Sequence, residues 1–219
     1  NDSKDYKKII TRPQQVPRMV HTAIQNKKNK KDVAVIGLPG DIAEMDAVED
    51  NYTNNFFFNK PIIIPNKNEL EHAAQLINEA KKITLFCGIG ASEANAEVVE
   101  LSKHLNAPVG YSFKGKMSIQ PNNPNEVGMT GLLGQPSAYH AMHKSDLIFL
   151  IGTDFPYKDF IPTDKKIIQL DAEGSKLGRR AKIDLGLVGN AKETIHELLP
   201  LMNQKEDRDF LDSQLELYK

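Results

Sequence analysis

The chain has a single cysteine, no apolar run long enough to cross a bilayer, and almost no excess charge of either sign. Each shortage removes a class of function. Cys87 alone cannot build an intrachain disulfide framework, which fits a reducing, cytoplasmic compartment. The longest apolar stretches, such as Leu147 to Ile151, have the length of a strand and fall far short of the roughly 20 residues that span a membrane. A formal charge of −1 supplies no bulk attraction to nucleic acid or anionic lipid. The opening residues, NDSKDYKK, lack the apolar stretch of a secretion signal. Asn1 stands where a start methionine would, which reads as a processed or excised piece.

What is present is enough for a core. With 219 residues, 40% of them hydrophobic, there is room for one large domain or for a domain plus part of another. The organising stretch runs from Lys82 to Ser112. A short apolar strand (83–87) enters the glycine turn Gly88-Ile89-Gly90-Ala91-Ser92. A helix with Ala94, Val98, Leu101 and Leu105 on one face follows, and a second apolar strand (109–112) closes the unit. Such a β-α-β unit, with a tight turn ahead of a helix N-terminus, is suited to an anion, usually a phosphate.

Before that unit, residues 1–10 are polar and expected to fray. Pro13 opens a helix in whose first turn its missing N–H costs little. Val16, Met19, Val20, Ala23 and Ile24 give that helix its period, and the basic run Lys27 to Lys31 suits its C-terminal end rather than a nucleic-acid patch. A strand, 33–38, follows. One helix and one strand cannot bury both their sides, so residues 1–45 read as the tail of an N-terminal domain. Residues 46–66 carry no period and read as an interdomain linker, with Phe56 to Phe58 packing on a neighbouring domain. Asn68 with Glu71 forms a candidate capping box for a helix whose stripe is Leu70, Ala73, Ala74, Ile77 and Ala80.

After the central unit, residues 113–135 show no periodic pattern but hold four glycines and two prolines. A loop of that length inside a domain is more often functional than idle. A short helix (137–144), strands at 147–151, 166–170 and 185–188, and a helix at 191–202 complete the domain. Residues 203–219 read as a helical connector. Continuous apolar strands alternating with helices indicate an α/β fold, a Rossmann-like parallel sheet with helices on both faces, over residues 67–202. Five strands are expected from residue 83 onward, with a possible sixth at Ile62 to Ile64.

The glycine turn starts as a dinucleotide fingerprint, Gly88-x-Gly90, and then departs from it. Glu93 stands at the third glycine position. No acid follows the second strand, at Gly110 to Lys114, about 20 residues on, where a dinucleotide's ribose would need one. An NAD site is therefore disfavoured. Three other features lie at C-terminal strand ends, where open α/β sheets bind ligands: Ser112 to Lys116 (SFKGK), Gly152 to Tyr157 (GTDFPY), and Asp171. Taken singly each has an ordinary reading; together they indicate a nucleotide across the sheet edge. Cys87 reads as a core residue without a redox role. His140 and His143 could share a helix face, but no further ligands at suitable spacing make them a metal site. Arg179 and Arg180 could meet a phosphate or pair with carboxylates of a neighbouring domain.

The segments DVAVIGLPGD, NNPNEVGMTGLLG, LIFLIGTDFPY, PTDKKIIQLD and the LVGN-AKETIHELLPLM stretch carry a resemblance. The chain resembles the middle of the thiamine-diphosphate and FAD-dependent pyruvate oxidases, above all the quinone-linked pyruvate dehydrogenases among them, nearly end to end. The resemblance implies that residues 67–200 hold FAD. Thr130, Gly131, Leu132 and Leu133, then Thr153, Asp154, Phe155, Pro156 and Tyr157, would line it. Asp171 would take the adenosine ribose, and the turn at Gly88 and Gly90, with Lys116, would lie near the pyrophosphate. The family's strand-end motif often reads IDID or IDIN; here it is Leu170-Asp171-Ala172-Glu173, with the first acid kept. Thiamine diphosphate and magnesium would belong to domains outside this chain. The implied reaction is oxidative decarboxylation of pyruvate to acetate or acetyl phosphate and CO2, with a quinone or oxygen reoxidising the flavin. A homotetramer, and peripheral membrane contact through a C-terminal segment, are implied as well. No residue here reads as a catalytic acid, base or nucleophile. The alternative is an acetolactate-synthase-like module in which flavin, if held, has no redox role.

Overall fold

The computed structural model describes residues 6–30, 33–48 and 61–219. It divides into two compact units, one up to Pro61 and one from Ile62 onward. In the first, strand β1 (Tyr6–Ile9), helix α1 (Val16–Lys30), strand β2 (Ala34–Gly37) and the short helix α2 (Gly40–Ala43) follow in order. The residues expected to fray in fact include β1, which pairs in parallel with β2 from Tyr6 beside Ala34 to Ile9 beside Gly37. Its sequence, YKKI, has no apolar alternation, so only the partner strand discloses it. Ile10 and Ala23 are buried in this unit, while Ile9, Val33 and Leu38 remain exposed. Phe56 to Phe58 and most of the stretch read as a linker lie outside the described residues.

The second unit runs α3 (Lys67–Glu79), β3 (Ile83–Cys87), α4 (Asn95–Leu105), β4 (Val109–Tyr111), α5 (Lys116–Ile119), β5 (Glu126–Met129), α6 (Pro136–Lys144), β6 (Leu147–Ile151), β7 (Lys166–Asp171), β8 (Leu185–Val188), α7 (Ala191–Leu198) and α8 (Asp209–Tyr218). The six strands form one sheet in the order β5-β4-β3-β6-β7-β8, and every neighbouring pair is parallel. The chain enters at β3, moves outward to β5, then returns across β3 to β6 and moves outward the other way. The reversal between β3 and β6 is the topological switch point of an open α/β sheet, where such folds bind ligands. The α/β class with a parallel sheet is therefore as expected, but the sixth strand is not Ile62 to Ile64. It is β5, inside the stretch that showed no period. Ile63 instead exchanges two hydrogen bonds of 2.8 Å with Asn190, fastening the chain entry to the start of α7.

Strands β3 and β6 are buried along their whole length, which is why they read as unbroken apolar runs. Their side chains still divide by alternation. Ile83, Leu85, Cys87, Leu147, Phe149 and Ile151 share one core with residues of α3, α4 and α7. Phe86, Ile148 and Leu150 face the other way, toward Met142 of α6 and Phe155 and Ile161 beyond β6. Helix α8 packs against α6 and β5, with Leu211 buried. The stretch expected to be a connector thus covers one end of the sheet.

Helix α3 begins two residues earlier than its sequence suggested. Asn66 is the N-cap; its side chain accepts from the Glu69 N–H at 3.1 Å and the Glu69 carboxylate accepts from the Asn66 N–H at 2.9 Å. Asn66-x-x-Glu69 and Asn68-x-x-Glu71 overlap as equally good boxes, and the earlier one is formed. Its loss removes one partner from the orphan amides of the first turn. Asn66→Ala should lower stability by about 1 kcal/mol in urea unfolding, while Asn68→Ala, at an exposed position inside the helix, should leave it nearly unchanged. The reverse order of effects would contradict the cap.

Candidate functional site

At the switch point two turns meet backbone to backbone. β3 and β6 pair in register up to Cys87 beside Ile151, so the turns that follow emerge side by side. Gly88 N–H donates to the Ile151 carbonyl at 2.9 Å and Gly90 N–H to the Gly152 carbonyl at 2.8 Å. There is no room for side chains between them. A Cβ on Gly88 would lie 2.5 Å from the Gly152 oxygen, one on Gly90 2.7 Å from the Gly152 Cα, and one on Gly152 2.4 Å from the Gly90 carbonyl carbon. Gly152 also has φ +58°, a left-handed backbone that disfavours other residues.

This contact revises the role of the glycine turn. The amides of Gly88, Gly90, Ala91 and Ser92 all donate to carbonyls of the protein, and the long helix α4 starts only at Asn95. Glycine here admits a neighbouring backbone, and these four amides are already paired within the protein. Neither Gly88 nor Gly90 lines the adjoining cavity, although Ile89 between them does.

That cavity, of about 570 Å³, opens at the C-terminal ends of the strands. Its size is in the range of small-molecule sites. Thr130, Gly131, Leu132 and Leu133 form one wall, and Thr153, Asp154, Phe155, Pro156 and Tyr157 another. All nine were expected there. The 130–134 loop leaves β5 and turns tightly: Gly134 N–H donates to the Gly131 carbonyl at 2.9 Å and Gln135 N–H to the Met129 carbonyl at 2.8 Å. Gly131, at φ +119°, lies against the rings of Phe155 and Tyr157. Leu132 and Leu133 are left 72% and 79% exposed, which is unusual for leucine pairs without a partner surface. Phe155 is buried edge-on to Phe86 (5.1 Å between centroids) and to Tyr157 (5.4 Å), so this wall is stiff.

The charges sort differently from the expectation. Lys116 lies in α5 and does not line the cavity; Lys114, two residues earlier, and Lys176 do. Asp154 is held by both arginines whose partners were open. Arg179 donates through Nε to Oδ1 at 3.1 Å and through a terminal nitrogen to Oδ2, and Arg180 Nε donates to Oδ1 at 2.9 Å. Asp171 ends β7, beside the cavity rather than on its wall. It is 6% exposed; its Oδ1 accepts the Glu173 N–H at 2.9 Å and stands 3.9 Å from the Lys176 ammonium. Burial pushes its carboxyl above the ordinary range, against the lowering effect of the Glu173 amide and Lys176.

None of these groups is arranged for acid, base or nucleophilic work. Burial pushes the Cys87 thiol far up, so no thiolate forms. Burial together with the bond to Glu126 (2.7 Å) does the same to the Tyr111 phenol. His143 stacks on Tyr139 with centroids 4.0 Å apart, and its pKa is lowered by burial. Among the described residues no group of three or more His, Cys, Asp or Glu side chains could hold a metal, and no helix is long and apolar enough to cross a membrane. The cavity is built for binding: apolar and aromatic walls, two ammonium groups, the small hydroxyls of Ser112, Thr130 and Thr153, and a carboxylate at its edge. These features fit a ligand with a flat apolar ring and an anionic chain.

Comparison with known proteins agrees with this geometry. The family profile described as thiamine pyrophosphate enzyme, central domain, matches residues 70–198. Over 215 residues the chain is 39% identical to an uncharacterized 42.6 kDa protein of Pseudomonas amyloderamosa, covering 98% of this chain and 54% of that one. It is 24% identical to the pyruvate oxidase of Lactiplantibacillus plantarum, over 98% of this chain and 36% of the relative. It is 28% identical to the acetolactate synthase large subunit of Haemophilus influenzae, over 79% and 33%. The chain thus spans about half, or less, of the length of these relatives. The crystal structure of benzoylformate decarboxylase from Polynucleobacter necessarius superposes with a TM-score of 0.71 at 24% identity, over 90% of this chain and 38% of that one, and shares the fold.

Two outcomes test the site's construction. Gly152→Ala should destabilise the domain by about 2–4 kcal/mol, from the left-handed backbone and the clash with the Gly90 turn together; an unchanged unfolding midpoint would contradict the contact. The second concerns pH. A carboxyl whose folded pKa is raised stabilises the fold below its unfolded pKa and loses that contribution as pH rises through the folded pKa. Asp171→Asn keeps an acceptor for Glu173 and cannot ionise. Its stability relative to the wild type should therefore rise as pH climbs from the ordinary carboxyl range through the raised folded pKa of Asp171, and then level off. A relative stability that falls over that range would reverse the assignment.

Proposed function

Because the chain belongs to the thiamine pyrophosphate enzymes, of whose central domain it is an example, we propose that its cavity holds FAD and that the whole protein oxidatively decarboxylates pyruvate, as a pyruvate oxidase or quinone-linked dehydrogenase does. The observation that carries the reading is the convergence of Thr130–Leu133 and Thr153–Tyr157 on one cavity at the switch point. Each wall supplies what a flavin nucleotide needs. Phe155, Tyr157 and the leucine pair offer apolar surface to a ring system. Thr130 and Thr153 place hydroxyls and backbone within reach of a chain of phosphates, and Lys114 and Lys176 neutralise it. Asp171, at the edge of the cavity, would accept from a ribose hydroxyl.

When bound, the flavin supplies a two-electron acceptor; the protein's share is to bind it, orient it and keep water from one side. The wall formed by Phe155 and Tyr157 is suited to that last task because its rings brace one another. Pyruvate as substrate, a quinone or oxygen as final acceptor, thiamine diphosphate with magnesium in other parts of the protein, a homotetrameric assembly and a cytoplasmic site, with peripheral membrane contact, complete the proposal.

A second reading is favoured by the pairing of the wall's one carboxylate, Asp154, with Arg179 and Arg180 and by the likeness to an acetolactate synthase subunit. There the domain binds flavin, or another nucleotide, as a structural element only. A flavin spectrum separates the two. Full-length protein should purify yellow and bleach when pyruvate and thiamine diphosphate are added without oxygen. A bound flavin that stays oxidised would leave only the structural reading, and a protein that takes up no flavin would end both. Asp171→Ala should weaken FAD binding by about 1–3 kcal/mol, roughly 5- to 150-fold, through loss of a charged hydrogen bond. An unchanged dissociation constant would remove Asp171 from the site.

A further inference from the structure

Gln169 is a buried polar side chain in the interior of β7, 3% exposed, where the strand is otherwise apolar. Its amide is fully engaged, and all its partners are backbone atoms of the cavity's surroundings. Nε2 donates to the carbonyl of Thr153 and to that of Lys176, each at 3.3 Å, and Oε1 accepts the Gly178 N–H at 2.9 Å. Thr153 and Lys176 both line the cavity. Gly178, at φ +69°, is the residue at which the 174–178 loop turns back. One side chain thus ties two separate walls to the sheet beneath them. An apolar residue would satisfy the core equally well but leave the Thr153 carbonyl and the Gly178 amide without the partner they have here, and the Lys176 carbonyl with only the Arg179 N–H.

We propose that Gln169 is a positioning residue for the nucleotide site: by fixing the backbone of Lys176 it sets where the ammonium group meets the ligand's phosphates. The inference rests on the nucleotide reading of the cavity. The Lys176 backbone also closes a short turn of its own, its N–H donating to the Glu173 carbonyl at 3.0 Å and its carbonyl accepting the Arg179 N–H at 3.3 Å; Gln169 is what ties that turn to the sheet. The Lys176 ammonium, on a side chain 30% exposed, stands 3.0 Å from the exposed Glu173 and 3.9 Å from the buried Asp171, so where it meets a ligand depends on how that turn is held. The Asp154 pairs with Arg179 and Arg180 fasten the same loop from its far end. The loop is therefore anchored at Lys176 and again from Gly178 to Arg180.

The test is a double-mutant cycle on FAD binding in the full-length protein, followed by flavin fluorescence. Gln169→Met and Lys176→Met should each weaken FAD about tenfold. The double variant should bind within about twofold of Lys176→Met alone, because Gln169 acts through Lys176. Losses that multiply to about a hundredfold, or a Gln169→Met protein that binds FAD as the wild type does, would overturn the proposal. Titration with ADP, read by calorimetry, should give the same pattern; a pattern confined to FAD would also overturn it, since the phosphates are common to both. If Gln169→Met does not fold, Gln169→Glu, of the same size and with an acceptor kept for Gly178, goes through the same cycle. Failure of both to fold would make Gln169 a folding residue and end the assignment. A wild type that takes up neither FAD nor ADP sinks the functional reading first and this inference with it. A wild type that binds both, with an unaltered Gln169 variant, sinks only the inference.

Discussion

The backbone contact between Gly90 and Gly152 is the constraint on which the rest depends. Two parallel strands emerge side by side at the centre of the sheet, and their following turns diverge only after touching. Because no Cβ fits between them, the two turns lock at a fixed spacing. Everything along the cavity inherits that position. Thr153 to Tyr157 start from the locked turn on one side, Ile89 protrudes from the other, and the loop after β5 leans its glycine on Phe155 and Tyr157. The site is rigid where the two turns meet and open toward Leu132 and Leu133, which leaves an entry and an apolar rim.

Polar groups in this domain act mostly as fasteners. Asn66, Asn190, Gln169 and the Asp154–arginine cluster each join a loop or helix end to a strand or to another loop. Their hydrogen bonds are individually modest, but those of Gln169 also keep buried backbone groups paired, and leaving such a group unpaired costs more than the bond itself gains. Reactive groups are instead silenced. Cys87 and Tyr111 are buried where their ionised forms are strongly disfavoured. A domain built in this way is suited to binding rather than to bond-making by its own side chains.

Much of this was legible in the sequence, and the misses share a physical cause. The apolar strands at 83–87, 147–151 and 166–170 could be read because full burial on both faces demands continuous apolar residues. Thr153 to Tyr157 were singled out because strand-end loops in such a sheet converge on the switch point, while Thr130 to Leu133 came from the family resemblance; both line the one cavity. β1 and β5 were hidden because YKKI lacks alternation and EVGM, four residues broken by Gly128, is too short to show a period, and pairing with a neighbour makes them strands. Once β5 was missed, α8 had no surface to pack on and read as a connector. Lys116 and Lys114 are indistinguishable in SFKGK until the turn into α5 turns one of them away. Glycine was the most ambiguous signal, because the residue that lets a phosphate approach a backbone is also the one that lets another backbone approach it.

The central claim, that the cavity at the switch point is the nucleotide site, is tested most directly by amide hydrogen exchange of the full-length protein with and without FAD. Exchange should slow at residues 130–134, 153–157 and 171–178, and stay unchanged at Gly88 and at 90–92, whose amides are already bonded within the protein and which lie off the cavity wall. Protection centred on the glycine turn, or on none of these segments despite bound flavin, would contradict the account.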